Sequence, residues 1–299
     1  MPRPFYGGRD VENDLLKWLL ANIDRLAGPL RPMWNSQALM FPLSAIQARD
    51  IPQSVIDDWK EQTAKYNKLY MIPMWDRIFQ HVCPQVITAI NAHTGANLVF
   101  DPTAQFVQEF FESRNVYLIK EITEKQAYAV AQAYREYGIV QDLTPQQFAA
   151  RIRATGIGPD SQQVIQLAAK EAQWREAGMA EDRLLGKLER ARLRKIGIRS
   201  RRIAQNEMAK AWGEAGIRTT RDAQAMGVFG NDLIGRQWLT AGQRVCPDCE
   251  ALEGVTVLLD MSYPGGFDSP WAHIGCRCTE MYVTLTRSEA YRIIDEGSI

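Results

Sequence analysis

Four of the chain's five cysteines fall within 33 residues, and one of its three histidines lies among them. Cys246-Pro247-Asp248-Cys249 is a CxxC turn, and after 23 further residues His273-Ile274-Gly275-Cys276-Arg277-Cys278 adds three more soft ligands. Thiolates two residues apart in a tight turn converge on one tetrahedral ion at about 2.3 Å, and a second pair from a distant loop completes the site. The 26 residues between Cys249 and Cys276 resemble the gap of two-knuckle zinc modules and are somewhat longer than its usual range. Alternate positions on a strand share a face, so Cys276 and Cys278 can both reach an ion, with His273 orienting or replacing one of them. Three chemistries fit this set. Structural Zn2+ would supply folding energy to a small module with little core of its own. Disulfide pairing needs an oxidising surrounding. A catalytic thiol pair prefers a CxxC opening a helix in a βαβ unit, whereas this one sits between predicted strands.

The cysteines are carried by Leu233–Thr240, Gly254–Leu259 and Thr279–Leu285, short β-branched or aromatic runs bounded by Gly, Pro and Asp, which read as strands. A helix over 287–296 follows. Upstream the pattern is helical. Asp10 opens a helix through about Leu26 that Gly28-Pro29 ends, and Pro29, Pro32 and Pro42 make 29–51 an irregular apolar connection. Helices are expected at 53–69, 73–92 and 103–137, the last as one or two. Thr144-Pro145-Gln146-Gln147 then opens a helix with a capping box, followed by helices at 160–177, 180–196 and 199–226. The expected fold is mostly α, a multi-helix body with a small C-terminal β-rich module. Its expected divisions are 1–140, 141–232, 233–286 and 287–299.

The chain's 35 basic and 35 acidic residues cancel, but 181–202 holds nine basic residues against three acidic ones. Arg190, Arg192, Arg194, Lys195, Arg199, Arg201 and Arg202 are candidates for contact with nucleic acid or an acidic partner; the alternative is a solvated helix face. Trp34 and Phe41, in the proline-broken stretch, and Phe5 and Tyr6, in an extended arm, are candidates for a partner surface. His81 reads as a core residue and His93 as exposed. No apolar run approaches the roughly 18 residues of a membrane helix, and the first ten residues lack the apolar core of a signal peptide, so a soluble, non-secreted chain is expected. G-x-S-x-G, H-E-x-x-H and Walker patterns are absent, and catalysis is not expected.

One further pattern is the order of pieces: Arg201-Arg202-Ile203-Ala204-Gln205-Asn206-Glu207, Ala215-Gly216, Gln237-Trp238-Leu239-Thr240, Cys246-Pro247-Asp248-Cys249 with Gly254, and Pro270-Trp271-Ala272-His273 with Cys276-Arg277-Cys278. Over about residues 145–285 this resembles the minor head proteins of tailed bacteriophages, the Mu F-like head morphogenesis family. The resemblance implies a virion component at the portal vertex, facing the capsid interior and made in the host cytoplasm. It would be present in several copies per particle and act in head assembly and DNA passage. It implies the portal protein or the major capsid protein as partners, with packaged double-stranded DNA possible and no membrane. Cys246, Cys249, His273, Cys276 and Cys278 correspond to the metal cluster, and Ile203, Ala204 and Glu207 to the signature helix; no catalytic residue is implied. The competing reading is a thiol–disulfide enzyme using the CxxC.

Overall fold

The computed structural model describes residues 2–140, 143–240, 245–270, 276 and 278–298, apart from the side chains of Arg9, Asp10 and Glu12. The chain is mostly α-helical, with one small antiparallel sheet. It divides into two compact units: unit 1 is Met1–Asn22, Pro73–Phe111 and Gln205–Ile299, and unit 2 is Ile23–Ile72 and Glu112–Ala204. These units do not follow the consecutive divisions expected from composition. Helices α1 (Arg9–Met40), α5 (Gln105–Gly138) and α8 (Glu181–Ala225) each contribute residues to both.

In unit 1, strands β1 (Arg3–Tyr6), β2 (Leu233–Leu239), β3 (Thr256–Leu258) and β4 (Thr279–Leu285) lie in the order β1-β4-β2-β3. The register sets Arg236 opposite Tyr282 and Trp238 opposite Glu280. Directly opposed residues share a face, so these four lie together, and all are buried. The C-terminal part of α8 approaches this face closely. A Cβ on Gly216 would come within 2.6 Å of the Tyr282 hydroxyl, so only glycine fits there. On the other face Val283, Leu285, Leu233 and Leu258 pack against Ile293 of α10 (Arg287–Glu296). Helix α10 starts with a reciprocal capping box between Thr286 and Glu289. Away from the sheet, Trp75 and Phe79 of α4 (Ile72–Thr94) meet Phe110 and Phe111 of α5.

Strand β1 was not expected, and it folds the Phe5–Tyr6 arm onto β4. His81 is half-buried rather than a core residue, its Nε2 lying 2.7 Å from Asp14 of α1. His93 is exposed, as expected.

In unit 2, α1 continues through Pro29 and Pro32 to Met40, correcting the expected break. Each proline removes one helical hydrogen bond and costs about 3 kcal/mol or more. Leu26, Leu30, Trp34, Ala38 and Phe41 recur at helical spacing and are all buried, and their burial outweighs that cost. The Tyr66 hydroxyl donates to the Leu26 carbonyl, near the first of these prolines (2.7 Å). Trp34 and Phe41 are therefore core residues, not a partner surface. Helix α3 (Gln53–Tyr66) passes through a π-turn (Asn67–Met71) directly into α4.

Helices α6 (Pro145–Thr155) and α7 (Ser161–Glu176) both start with capping boxes, the first built by Thr144 and Gln147 as expected. The loop between them is gripped from several sides. The Arg192 Nε donates to the Ile157 carbonyl (3.1 Å), and Arg199 Nη1 donates to the carbonyls of Gly158 (2.8 Å) and Pro159 (2.9 Å). The Gly158 amide donates to Gln126 (2.9 Å), while Arg199 stacks on the Trp34 ring at 4.8 Å. The two helices expected at 180–196 and 199–226 are one, running through Gly197. Among the described residues, no helix is long and apolar enough to cross a membrane.

Candidate metal centre

The hairpin of β2 and β3 holds the first pair of cysteines. Beyond the strand pairing itself, the Trp238 amide donates to Val255 O (2.9 Å) and the Gly254 amide to Trp238 O (2.9 Å), closing the loop at its base. Within it Cys246 caps the single turn α9 (Pro247–Glu250). Pro247, with φ already fixed and no N–H to satisfy, suits the first helical position. The Cys249 amide donates to the Cys246 sulfur (3.3 Å). Gly254, with φ +76°, turns the chain back toward β3. This turn carries Cys249 to the interior and leaves Cys246 half-buried at the rim.

The second pair arrives on β4, whose first residue, Thr279, pairs with Leu239 at the end of β2. Cys278 immediately precedes it, with Cys276 two residues earlier. The sulfurs of Cys249, Cys276 and Cys278 all lie within 4.8 Å of one another, and all three side chains are buried. The Cys249 and Cys276 sulfurs are 3.6 Å apart. A disulfide needs about 2.05 Å, whereas two sulfurs each 2.3 Å from a tetrahedral ion are about 3.8 Å apart. The Cys249–Cys276 spacing is that of ligands sharing one ion rather than of a disulfide. Three thiols so placed can hold a metal ion. Burial, followed by the neighbouring Cys246 and Cys276, pushes the Cys249 thiol up to about 12. A thiol so disfavoured as thiolate is a poor nucleophile at neutral pH. His273 lies outside the described residues.

A group not singled out from sequence braces the same module. Arg236 donates from Nη1 to Glu280 (3.2 Å) and to the Asp268 carbonyl (2.7 Å), and from Nη2 to the Met261 carbonyl (2.6 Å). The hydroxyls of Tyr263 (3.3 Å) and Tyr282 (3.0 Å) also donate to Glu280. Burial raises the Glu280 carboxyl despite the Arg236 charge beside it. Arg236 thereby ties the segment leading toward Cys276 to β2. Its signal in the sequence is a charge at an inward position of a strand between Ile234 and Trp238.

The basic stretch separates into two sets. Arg192 and Arg199 are 3% and 4% exposed and hold the 157–159 loop, so they are not available to a nucleic acid. Burial lowers the pKa of Arg199 to about 10. Arg183, Lys187, Arg190 and Arg194 are exposed and recur at three- to four-residue spacing along α8, Arg201 and Arg202 are exposed about two turns further on, and Lys195 is half-buried beside the stripe. Arg201 pairs with Asp24 of α1 at 3.0 Å, and Lys187 sits over the Trp174 ring at 5.2 Å. No protein-family model, curated protein or solved structure matches the chain.

Proposed function

We propose that the protein is a structural minor head protein of a tailed phage, acting at the portal vertex by binding rather than catalysis, with a zinc-stabilised C-terminal module. The observation that carries the metal part is the convergence of the buried Cys249, Cys276 and Cys278 sulfurs at ligand-like spacing. Thiolate ligands select Zn2+ over harder cations, and Cys246 or His273 would add the fourth ligand to Cys249, Cys276 and Cys278. Bound there, the ion would tie the β2–β3 hairpin to the start of β4 and supply folding energy. The assignment to phage heads rests on the ordered resemblance over about residues 145–285, and with it come the portal or major capsid protein as partners.

Within this reading, the exposed stripe Arg190, Arg194, Arg202 and its neighbours faces packaged DNA or an acidic partner surface. The thiol–disulfide reading needs an accessible, low-pKa cysteine, whereas Cys249 is buried and its thiol is pushed up by that burial. Two measurements test the proposal. Elemental analysis of freshly purified protein is expected to give about one zinc per chain; less than about half an equivalent overturns the metal assignment. Co-purification with a portal ring tests the second part, and a chain that binds neither portal nor capsid protein overturns it.

A further inference from the structure

Between α8 and the sheet face it covers lies a cavity of about 20 Å3, lined by Tyr6, Glu280 and Tyr282 of the sheet and by Trp212, Gly213 and Gly216 of α8. All six residues belong to unit 1. Tyr6 is opposite Tyr282 in the register, and Glu280 is two residues from Tyr282 along β4, so the three side chains share one face. Trp212 and Gly216 are one helical turn apart and face the sheet together. At Gly216 the helix is pressed against the Tyr282 hydroxyl, whereas a Cβ on Gly213 would meet no atom within 4 Å. The space left there is enough for one water, which needs about 10–15 Å3, and too small for a larger molecule.

The hydrogen-bonding groups around this space do not satisfy one another. The Tyr6 hydroxyl and the Trp212 indole Nε1 are buried, and neither has a protein partner. A buried donor left unpaired is destabilising, and native structures supply such groups with a protein atom or an ordered water. Unused acceptor places line the same cavity. A carboxylate offers about four; Glu280 Oε2 receives Arg236 and Tyr263, while Oε1 receives Tyr282 alone (3.0 Å). The Tyr282 hydroxyl spends its proton on that bond and keeps its lone pairs. Two donors and two acceptor places are thus directed at one small volume.

We propose that this cavity is the binding site of one ordered water, which accepts from the Tyr6 hydroxyl and the Trp212 indole and donates to Glu280 Oε1 and the Tyr282 oxygen. The lining excludes other occupants of that size. A cation would meet the N–H and O–H donors of Trp212 and Tyr6, and an anion would lie against the Glu280 carboxylate. Water is neutral and brings two protons and two lone pairs, which matches the four places. It ties β1 and α8 to the carboxylate that Arg236 already holds, and so extends the brace of β4 to the first strand of the chain. The inference stands on unit 1 alone and is independent of the phage and zinc assignments.

The test uses the full-length protein carrying isotope-labelled tryptophan, with the Trp212 indole signal identified by its loss in Trp212→Phe. Magnetisation transfer from the indole proton to water is recorded as NOE and as ROE. The expected result is a cross-peak at the water frequency with opposite signs in the two spectra, the mark of a held water. In Tyr6→Phe, which keeps the ring against Tyr282, the peak should persist and fall about twofold, because the water has lost one of its bonds; unshifted signals from the other indoles report an intact fold. The absence of a peak in the parent protein overturns the proposal, as does a peak of the same sign in both spectra, which is proton exchange with solvent. A peak abolished by Tyr6→Phe comes from the hydroxyl proton itself and overturns it, and a peak unchanged by Tyr6→Phe removes Tyr6 from the site and overturns it too.

Discussion

The Arg236 guanidinium lies 3.2 Å from the Glu280 carboxylate across β2 and β4, and both side chains are buried. Removing one partner leaves the other as an uncompensated buried charge, at a cost of about 3–5 kcal/mol. Arg236→Met is therefore expected to destabilise unit 1 by about that amount. Glu280→Gln, which keeps hydrogen-bonding capacity, should cost less. Chemical denaturation of the three full-length proteins checks the ranking, and equal stability for all three contradicts it.

The fourth position of the cysteine cluster can be assigned by substitution. The Cys246 sulfur already accepts the Cys249 amide, as a ligand in a knuckle turn would. Cys246→Ser is expected to bring bound zinc below about half an equivalent, while His273→Ala keeps about one. The opposite pattern in elemental analysis assigns the place to His273.

The basic residues of α8 should divide in the same way as their burial. Replacing Arg190, Arg194 and Arg202 with glutamine is expected to weaken binding to double-stranded DNA and lower the salt slope by roughly 0.9 per lost phosphate contact, with melting unchanged. Arg199→Ala should instead cost about 1–3 kcal/mol, because the Gly158 and Pro159 carbonyls lose their donor. Filter binding across a salt series, together with thermal melting, separates the two effects.

Gly158 has φ +98°, and an added Cβ would lie 2.5 Å from the Ile196 Cδ1. Gly158→Ala carries both backbone strain and a clash and is expected to cost about 1–3 kcal/mol. Trimming the clash with Ile196→Val should recover only part of the loss, since the positive φ remains. Full recovery in melting experiments would assign the whole cost to the contact.

Acid should loosen the end of α10. The Glu289 carboxylate is held down at about 2, from an ordinary 4.5, first by the Thr286 backbone N–H. The folded state binds this proton more weakly than the unfolded chain does. The stabilisation is therefore complete above pH 4.5 and drains as pH falls toward 2. Glu289→Gln keeps the capping box and has no proton to take up. Its melting temperature should fall less than that of the parent between about pH 5 and pH 3, and an identical fall rejects this assignment.

The cysteine cluster could be read from spacing because its chemistry depends on residue type and a local turn, and β2 and β4 could be read from short runs with β-branched or aromatic residues bounded by breakers. Pro29 and Pro32 misled because local rules carry no information about Leu30 and Trp34 being buried one turn apart. Arg192 and Arg199 misled because charge in a sequence does not reveal burial. Their partners are backbone carbonyls some 35–41 residues away. Strand β1 is too short for a period, and its partner strand begins near residue 280, so no local window contains the pair.

The interleaving of the two units sets an order of events during synthesis. Every segment of unit 2 precedes Gln205, whereas unit 1 needs residues from both ends of the chain. Arg3–Tyr6 waits for β4, some 280 residues further on, and at 5–20 residues per second that wait is roughly 14–56 s on the ribosome. The four clustered cysteines emerge after all of unit 2. Capture of an ion would then be a late step, so metal scarcity would stall unit 1 as a long-lived nascent intermediate with its first strand unpaired.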